Sequence, residues 1–136
     1  MKKTNRKSGF TLVELMVVAI IVAILAAVAI PLMSGNKDRA MATEGQAGCT
    51  TIATQLRMYW AEHGEAATAM ADLTGIKDGD LNGTYFAHAD YSFSHSAKDA
   101  YTITADSSLE ENSDGVAATV VMTVEDGQAT WTGTLL

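Results

Sequence analysis

Glu14 is a single charge at the head of an apolar run. From Leu15 to Ile30 no side chain is charged or strongly polar. A carboxylate in a membrane helix costs about 2.5–3.5 kcal/mol on insertion scales, so it is retained for a partner or a task. Upstream lie Gly9 and Phe10, behind a leader that carries Lys2, Lys3, Arg6 and Lys7 and no acid. A cut between Gly9 and Phe10 would create an α-amine four residues before Glu14, of opposite charge and on the same helical face. Within one chain that amine belongs to the helix's own first turn and is poorly placed. Between two parallel helices offset along their axes, the amine of one meets the carboxylate of the next, and each removes the other's desolvation penalty. Thr11 and Glu14 also fit a capping box, which accounts for helix initiation but not for pure hydrocarbon after the acid.

A second set of oxygens lies at Asp78, Asp80 and Asn82, followed by Gly83. Alternate oxygens ending in a glycine turn reproduce the first half of a calcium loop. The second half fails, because Ala89 stands where a bidentate Glu is required, although Asp90 is adjacent. A weaker echo is Glu110, Asn112, Asp114 and Gly115. The competing reading is a solvated acidic turn in which Asn82-Gly83 closes a hairpin. No other constellation carries chemistry. His63, His88 and His95 have no metal-ligand or catalytic spacing, and neither a nucleophile elbow nor a phosphate loop is present. The chain reads as a non-enzyme that requires no cofactor. Its one cysteine, Cys49, has nothing basic around it and reads as a small buried hydrophobe.

The elements that position these residues follow from patterning. With 136 residues and 48% hydrophobic side chains, the chain fits one small domain with an unusually apolar segment attached. Its net charge of -7 becomes -11 once the leader's four bases are removed, so direct nucleic-acid binding is not expected. Residues 1–9 are read as the leader and residues 10–33 as a membrane helix. At about 1.5 Å per residue the uninterrupted run alone falls short of a ~30 Å hydrocarbon core, so Phe10 to Val13 and Leu32-Met33 must extend it. Pro31 and Gly35 predict a kink or local melting. Residues 34–63 continue as an amphipathic helix, with Met41, Cys49, Ile52, Leu56, Tyr59 and His63 on its apolar stripe and Glu44, Gln46, Gln55, Arg57 and Glu62 left for other faces. Gly45 and Gly48 within it point to close approach or local flexibility.

After Gly64 a short helix is expected over 66–73 and turns over 74–83. Beyond them the period becomes two, around Tyr91-Phe93-His95, Tyr101-Ile103-Ala105, Val116–Val124 and Ala129–Thr134. Turns at Lys98-Asp99, Asn112–Gly115 and Asp126-Gly127 make residues 64–136 an antiparallel meander. The fold class is α+β, a long N-terminal helix packed on a small C-terminal antiparallel sheet. The aromatics at 85, 86, 91, 93, 101 and 131 are assigned to its core.

The basic leader, Gly9-Phe10-Thr11-Leu12-Val13-Glu14-Leu15-Met16 and the apolar helix to Pro31 resemble the signal of type IV prepilins and type II secretion pseudopilins. The likeness covers about the first 33 residues closely and the helix to His63 more loosely. The C-terminal half is pilin-like in architecture alone. The resemblance implies cleavage after Gly9 by a membrane prepilin peptidase, which also N-methylates Phe10. It further implies a homopolymeric helical filament in which Glu14 neutralises a neighbour's N-terminus, and unwinding near Pro31 within that filament. The implied location is the inner membrane before assembly, with a pilus or type II secretion assembly machinery as partner, then an extracellular pilus or a periplasmic pseudopilus.

Met33 to Ala40 and the lack of a C-terminal cysteine pair lean towards the pseudopilin of a type II secretion system. The absence of a Tyr-Pro followed by Gly-Leu after the helix leans against it. Some members hold calcium in surface loops, which keeps Asp78, Asp80 and Asn82 in view. A different class altogether is an exported soluble binding module with an ordinary signal peptide cut after Ala29, whose mature N-terminus would be Ile30.

Overall fold

The computed structural model describes residues 9–112 and 114–136, with the side chains of residues 108 and 109 excluded. Lys2, Lys3, Arg6 and Lys7 lie outside the described residues. Helix α1 runs over Leu12–His63, and two single 3-10 turns follow at Met70–Asp72 and His88–Asp90. Strands β1 (Tyr91–Ala97), β2 (Ala100–Glu111), β3 (Ala117–Glu125) and β4 (Gln128–Thr132) form one antiparallel sheet in the order β1-β2-β3-β4. This is the expected α+β meander. The chain divides into two compact units at the Met33/Ser34 boundary.

In the first unit none of the described residues of the helix is buried. Every large apolar side chain from Phe10 to Met33 is exposed, from 49% at Val17 to 79% at Phe10. The helix is long and apolar enough to cross a membrane. Pro31 and Gly35, where a kink or local melting is expected, both lie within the helical span of α1. Proline removes one i to i−4 bond, and the turns on either side supply enough others to carry the helix across it.

The second unit is built on alternation. Along β2, Tyr101, Ile103, Ala105 and Ser107 point inward, and along β3 Ala118, Val120, Met122 and Val124 do the same. All of these but Ser107 join Met41, Cys49, Ile52, Ala53 and Leu56 of α1 in one buried cluster that also takes in Phe86 and Tyr91. Trp131, Phe93 and Tyr85 pack at its margin. Burial pushes the Cys49 thiol up to about 11, which makes it unreactive at neutral pH.

Gly45 and Gly48 face this core because the helix lies too close for side chains. A Cβ on Gly45 would sit 2.9 Å from Val120 Cγ2, and one on Gly48 would overlap the Tyr91 ring. Close approach is therefore the reason for both glycines. Gly48→Ala should lower stability by about 1–3 kcal/mol through overpacking, although alanine favours helix by about 1 kcal/mol. Urea denaturation checks this, and a stabilised variant would contradict the packing.

Three details differ from the sequence expectation. The short helix expected over 66–73 is only the turn Met70–Asp72, because the Thr68 and Ala69 N–H groups donate to Asp72 Oδ2 at 2.8 and 2.9 Å and close a local loop. His63 is exposed, stacked on Tyr59 with ring centres 4.2 Å apart. The last strand ends at Thr132, after which Gly133 (φ 141°) turns the chain along the part of β3 that β4 does not reach. There Thr134 Oγ1 accepts the Thr119 N–H (2.9 Å) and donates to the Ala117 carbonyl (2.7 Å), while the Thr134 N–H donates to Thr119 Oγ1 (3.1 Å).

Candidate functional site

The residues singled out at the N-terminus lie together. Gly9 and Phe10 are exposed and precede the helix. Thr11 caps it, with Thr11 Oγ1 accepting the Glu14 N–H at 3.3 Å. Glu14 Oε2 returns the bond, accepting the Thr11 N–H at 2.9 Å and the Thr11 hydroxyl at 2.8 Å. This reciprocal capping box satisfies N–H groups that a helix start leaves open. Oε1 of Glu14 makes no such bond among the described residues, so the head of an exposed apolar helix keeps an acceptor in reserve. A Cβ added at Gly9 would meet nothing within 4 Å. Among the described residues no contact requires glycine there.

The acidic loop behaves differently. Asp80 Oδ2 accepts the Lys77 N–H at 2.9 Å, and Asn82 Oδ1 accepts the His88 N–H at 2.7 Å. Two of the three oxygen carriers are thus turned onto backbone donors. Among the described residues no group of three His, Cys, Asp or Glu side chains comes together to hold a metal ion. Near the weaker echo, Asn112 Oδ1 accepts the Asp114 and Val116 N–H groups, both at 3.0 Å, and Glu110 pairs with Lys37 at 2.8 Å. Among the described residues, Asp80, Asn82 and Asn112 each have a side-chain oxygen engaged by a backbone donor, and Glu110 is engaged by Lys37. Millimolar calcium should therefore leave the melting temperature of residues 34–136 where a chelator puts it; a rise would restore the calcium reading, since preferential binding stabilises the folded state.

Sequence reasoning missed Glu44. Assigned above to another face, it is half-buried, and its carboxylate reaches across to residues 84–86. Oε2 accepts the Thr84 N–H at 3.0 Å, and Oε1 accepts the N–H groups of Tyr85 and Phe86, each at 2.8 Å. Gly83 is glycine because a Cβ there would strike this carboxylate. Ser107, 1% exposed, fastens the same segment from the sheet, donating to the Tyr85 carbonyl at 3.1 Å. The spacing held the clue: Glu44 follows Met41 by three residues and precedes Gly48 by four, so it lies on the apolar stripe.

An apolar helix long enough for a membrane, headed by a capped carboxylate and continued onto a four-stranded meander, defines a pilin-like protein. The family model described as "Prokaryotic N-terminal methylation motif" matches residues 4–30. The chain is 36% identical over 59 residues to the type II secretion system core protein G of Escherichia coli (strain K12), covering 43% of this chain and 41% of that protein. It is 38% identical over 81 residues to the prepilin peptidase-dependent protein A of Clostridium perfringens, covering 60% and 55%. Its likeness to the competence protein ComGC of Halalkalibacterium halodurans is 38% over 71 residues, covering 49% and 66%. These findings place the chain, through its prepilin-type N-terminal segment, with the type IV pilin and type II secretion pseudopilin family. The matched region spans about two fifths of the length of the core protein G relatives.

Proposed function

We propose that the chain is a structural subunit of a type IV pilus-like filament, held in the inner membrane by residues 10–33 until it polymerises through that helix. The observation that carries this reading is the row of exposed large apolar side chains from Phe10 to Met33, headed by Glu14, whose Oε1 is unused by the helix cap. Packing copies of the helix together buries the hydrocarbon. A neighbour's free α-amine then supplies the charge that Oε1 lacks. A prepilin peptidase cutting after Gly9 and methylating Phe10 generates that amine. Among the described residues no contact accounts for a glycine at position 9, which fits its recognition by an enzyme acting on this peptide bond.

The second reading is a periplasmic pseudopilus of a type II secretion system. It is favoured by the likeness to core protein G and by a sole cysteine buried inside the domain, with no C-terminal pair. In either case the partners are copies of the chain, the peptidase, the membrane and the assembly machinery, and the subunit itself performs no catalysis.

Intact mass and N-terminal sequencing of the protein from membranes and from sheared surface material test the proposal. N-methyl-Phe10 is the expected terminus, and recovery in sheared fibres favours a pilus over a pseudopilus. Gly9→Leu should accumulate as uncut precursor in the membrane. An N-terminus at Ile30, or normal processing of Gly9→Leu, would overturn the reading.

A further inference from the structure

His95 lies midway along β1 and faces inward between Trp60 of α1 and Tyr101 of β2. The ring centres are 5.6 and 5.9 Å away, and both contacts are edge-on. Its Nδ1 accepts the backbone N–H of Ala67 at 3.0 Å, and Ala67 is itself 2% exposed. Its Nε2 is buried and meets no hydrogen-bond partner among the described residues. An imidazole accepting at Nδ1 carries its proton on Nε2. A second proton has only Nδ1 to go to, where it would turn the acceptor into a donor facing the Ala67 donor. Protonation therefore abolishes this contact rather than weakening it.

The segment held by the contact is bounded at each end by hydrogen bonds that do not involve His95. At one end Gly64, at φ 73°, closes the helix with its N–H on the Trp60 carbonyl at 2.8 Å. At the other, Thr68 and Ala69 are tied to Asp72, a bond set independent of His95. Between them Ala67 is the only buried residue of 64–69.

We propose that His95 is a proton-operated latch, closing residues 64–67 onto the domain when neutral and releasing them when protonated, while the helix and sheet stay folded.

The groups around the ring favour the neutral form. Tyr101 faces it from β2. From α1, Arg57 is committed to that tyrosine, donating to its hydroxyl at 2.9 Å with its cation 5.9 Å from the ring centre. The held segment carries Glu65, the helix end carries His63, and Asp72 stands at the far turn; none of the three acts on the imidazole. Burial holds His95 below the ordinary imidazole range, opposed more weakly by the Ala97 carbonyl, which is not in hydrogen-bonding geometry with Nε2. The sign follows by linkage. The closed form binds fewer protons than the open one, so closure is complete at neutral pH and is lost as pH falls below the ordinary value of about 6.5. Asp72 is held below its ordinary range by the Thr68 and Ala69 N–H groups, so its turn keeps its charge across this interval.

Nitrogen-15 NMR and amide exchange on the full chain in detergent micelles test the latch. At pH 7.5 the His95 ring should be the Nε2–H tautomer, and it should titrate below pH 6.5. Across that titration the protection of the Ala67 amide should fall, with the same midpoint as the His95 ring. The amides of Ile103 and Val120 should hold. His95→Asn offers a carbonyl oxygen near the position of Nδ1 without titrating, and should keep Ala67 protection constant between pH 7.5 and 5. An Nδ1–H tautomer, Ala67 protection that ignores the His95 titration, or an Asn variant that opens with the unmodified midpoint would overturn the proposal. If the variant does not fold, the tautomer and titration of the unmodified chain decide alone.

Discussion

Glu44→Ala should destabilise the domain of residues 34–136 by about 2–4 kcal/mol, because two part-buried backbone N–H groups lose their acceptor and a third returns to water. For a domain of this size that is a fall of about 10–25 °C in melting temperature. The Tyr85 and Phe86 N–H groups carry most of the effect, since Phe86 is 1% exposed while Thr84 lies in solvent. Glu44→Gln separates geometry from charge. Its carbonyl oxygen can still serve one side of the clamp, but its amide N–H₂ meets a backbone donor on the other, so about half the loss is expected. Urea denaturation of residues 34–136 measures both, with an unchanged slope showing that the folded and unfolded ensembles keep their extent. A Glu44→Ala variant within about 0.5 kcal/mol of the parent would mean that residues 83–86 are held by other contacts.

Glu14→Gln should leave membrane insertion and cleavage intact while nearly abolishing filament incorporation. Glutamine also completes a capping box, so the start of α1 survives and only the charge is removed. Breaking a desolvated ion pair by neutralising one partner costs about 3–5 kcal/mol, and each 1.4 kcal/mol is a factor of ten in affinity. Each subunit addition would therefore weaken at least about a hundredfold. Glu14→Val removes cap and charge together, and should match the glutamine variant if the charge is what assembly uses. Membrane-retained mature subunit and sheared fibre, both quantified by mass, read the two effects separately. Normal fibres from Glu14→Gln would dispose of the pairing.

Where burial alternates simply, the sequence was readable. Tyr101, Ile103 and Ala105 announce β2 because each second residue must enter the core, and the glycine or aspartate turns at either end fix its partners. The helix stripe was equally plain for Met41, Cys49, Ile52 and Leu56. Legibility failed where a polar group was recruited inward. Glu44 carries the charge of a surface residue, but its position on the stripe, not its type, decides where it points. Asp72 converts an expected helix into a cap for the same reason: a side-chain oxygen competes for N–H groups that a helix would have used. In the calcium-like loop, Asp80 and Asn82 have residue types that suit either a metal or a backbone cap, and only the fold shows the caps being made.

The seam between Thr134 and Thr119 bears on how the sheet tolerates its surroundings. Unsatisfied strand edges are commonly guarded by lysine, which repels an approaching strand by charge. Here the uncovered portion of β3 is closed by neutral hydroxyl and amide bonds from the chain's own tail. Such closure contains no ionisable group and no screened attraction, unlike the Lys37–Glu110 pair on the same domain. The edge consequently stays shut in brackish and fresh water alike, and an acidic protein with few bases is spared the need to station one there.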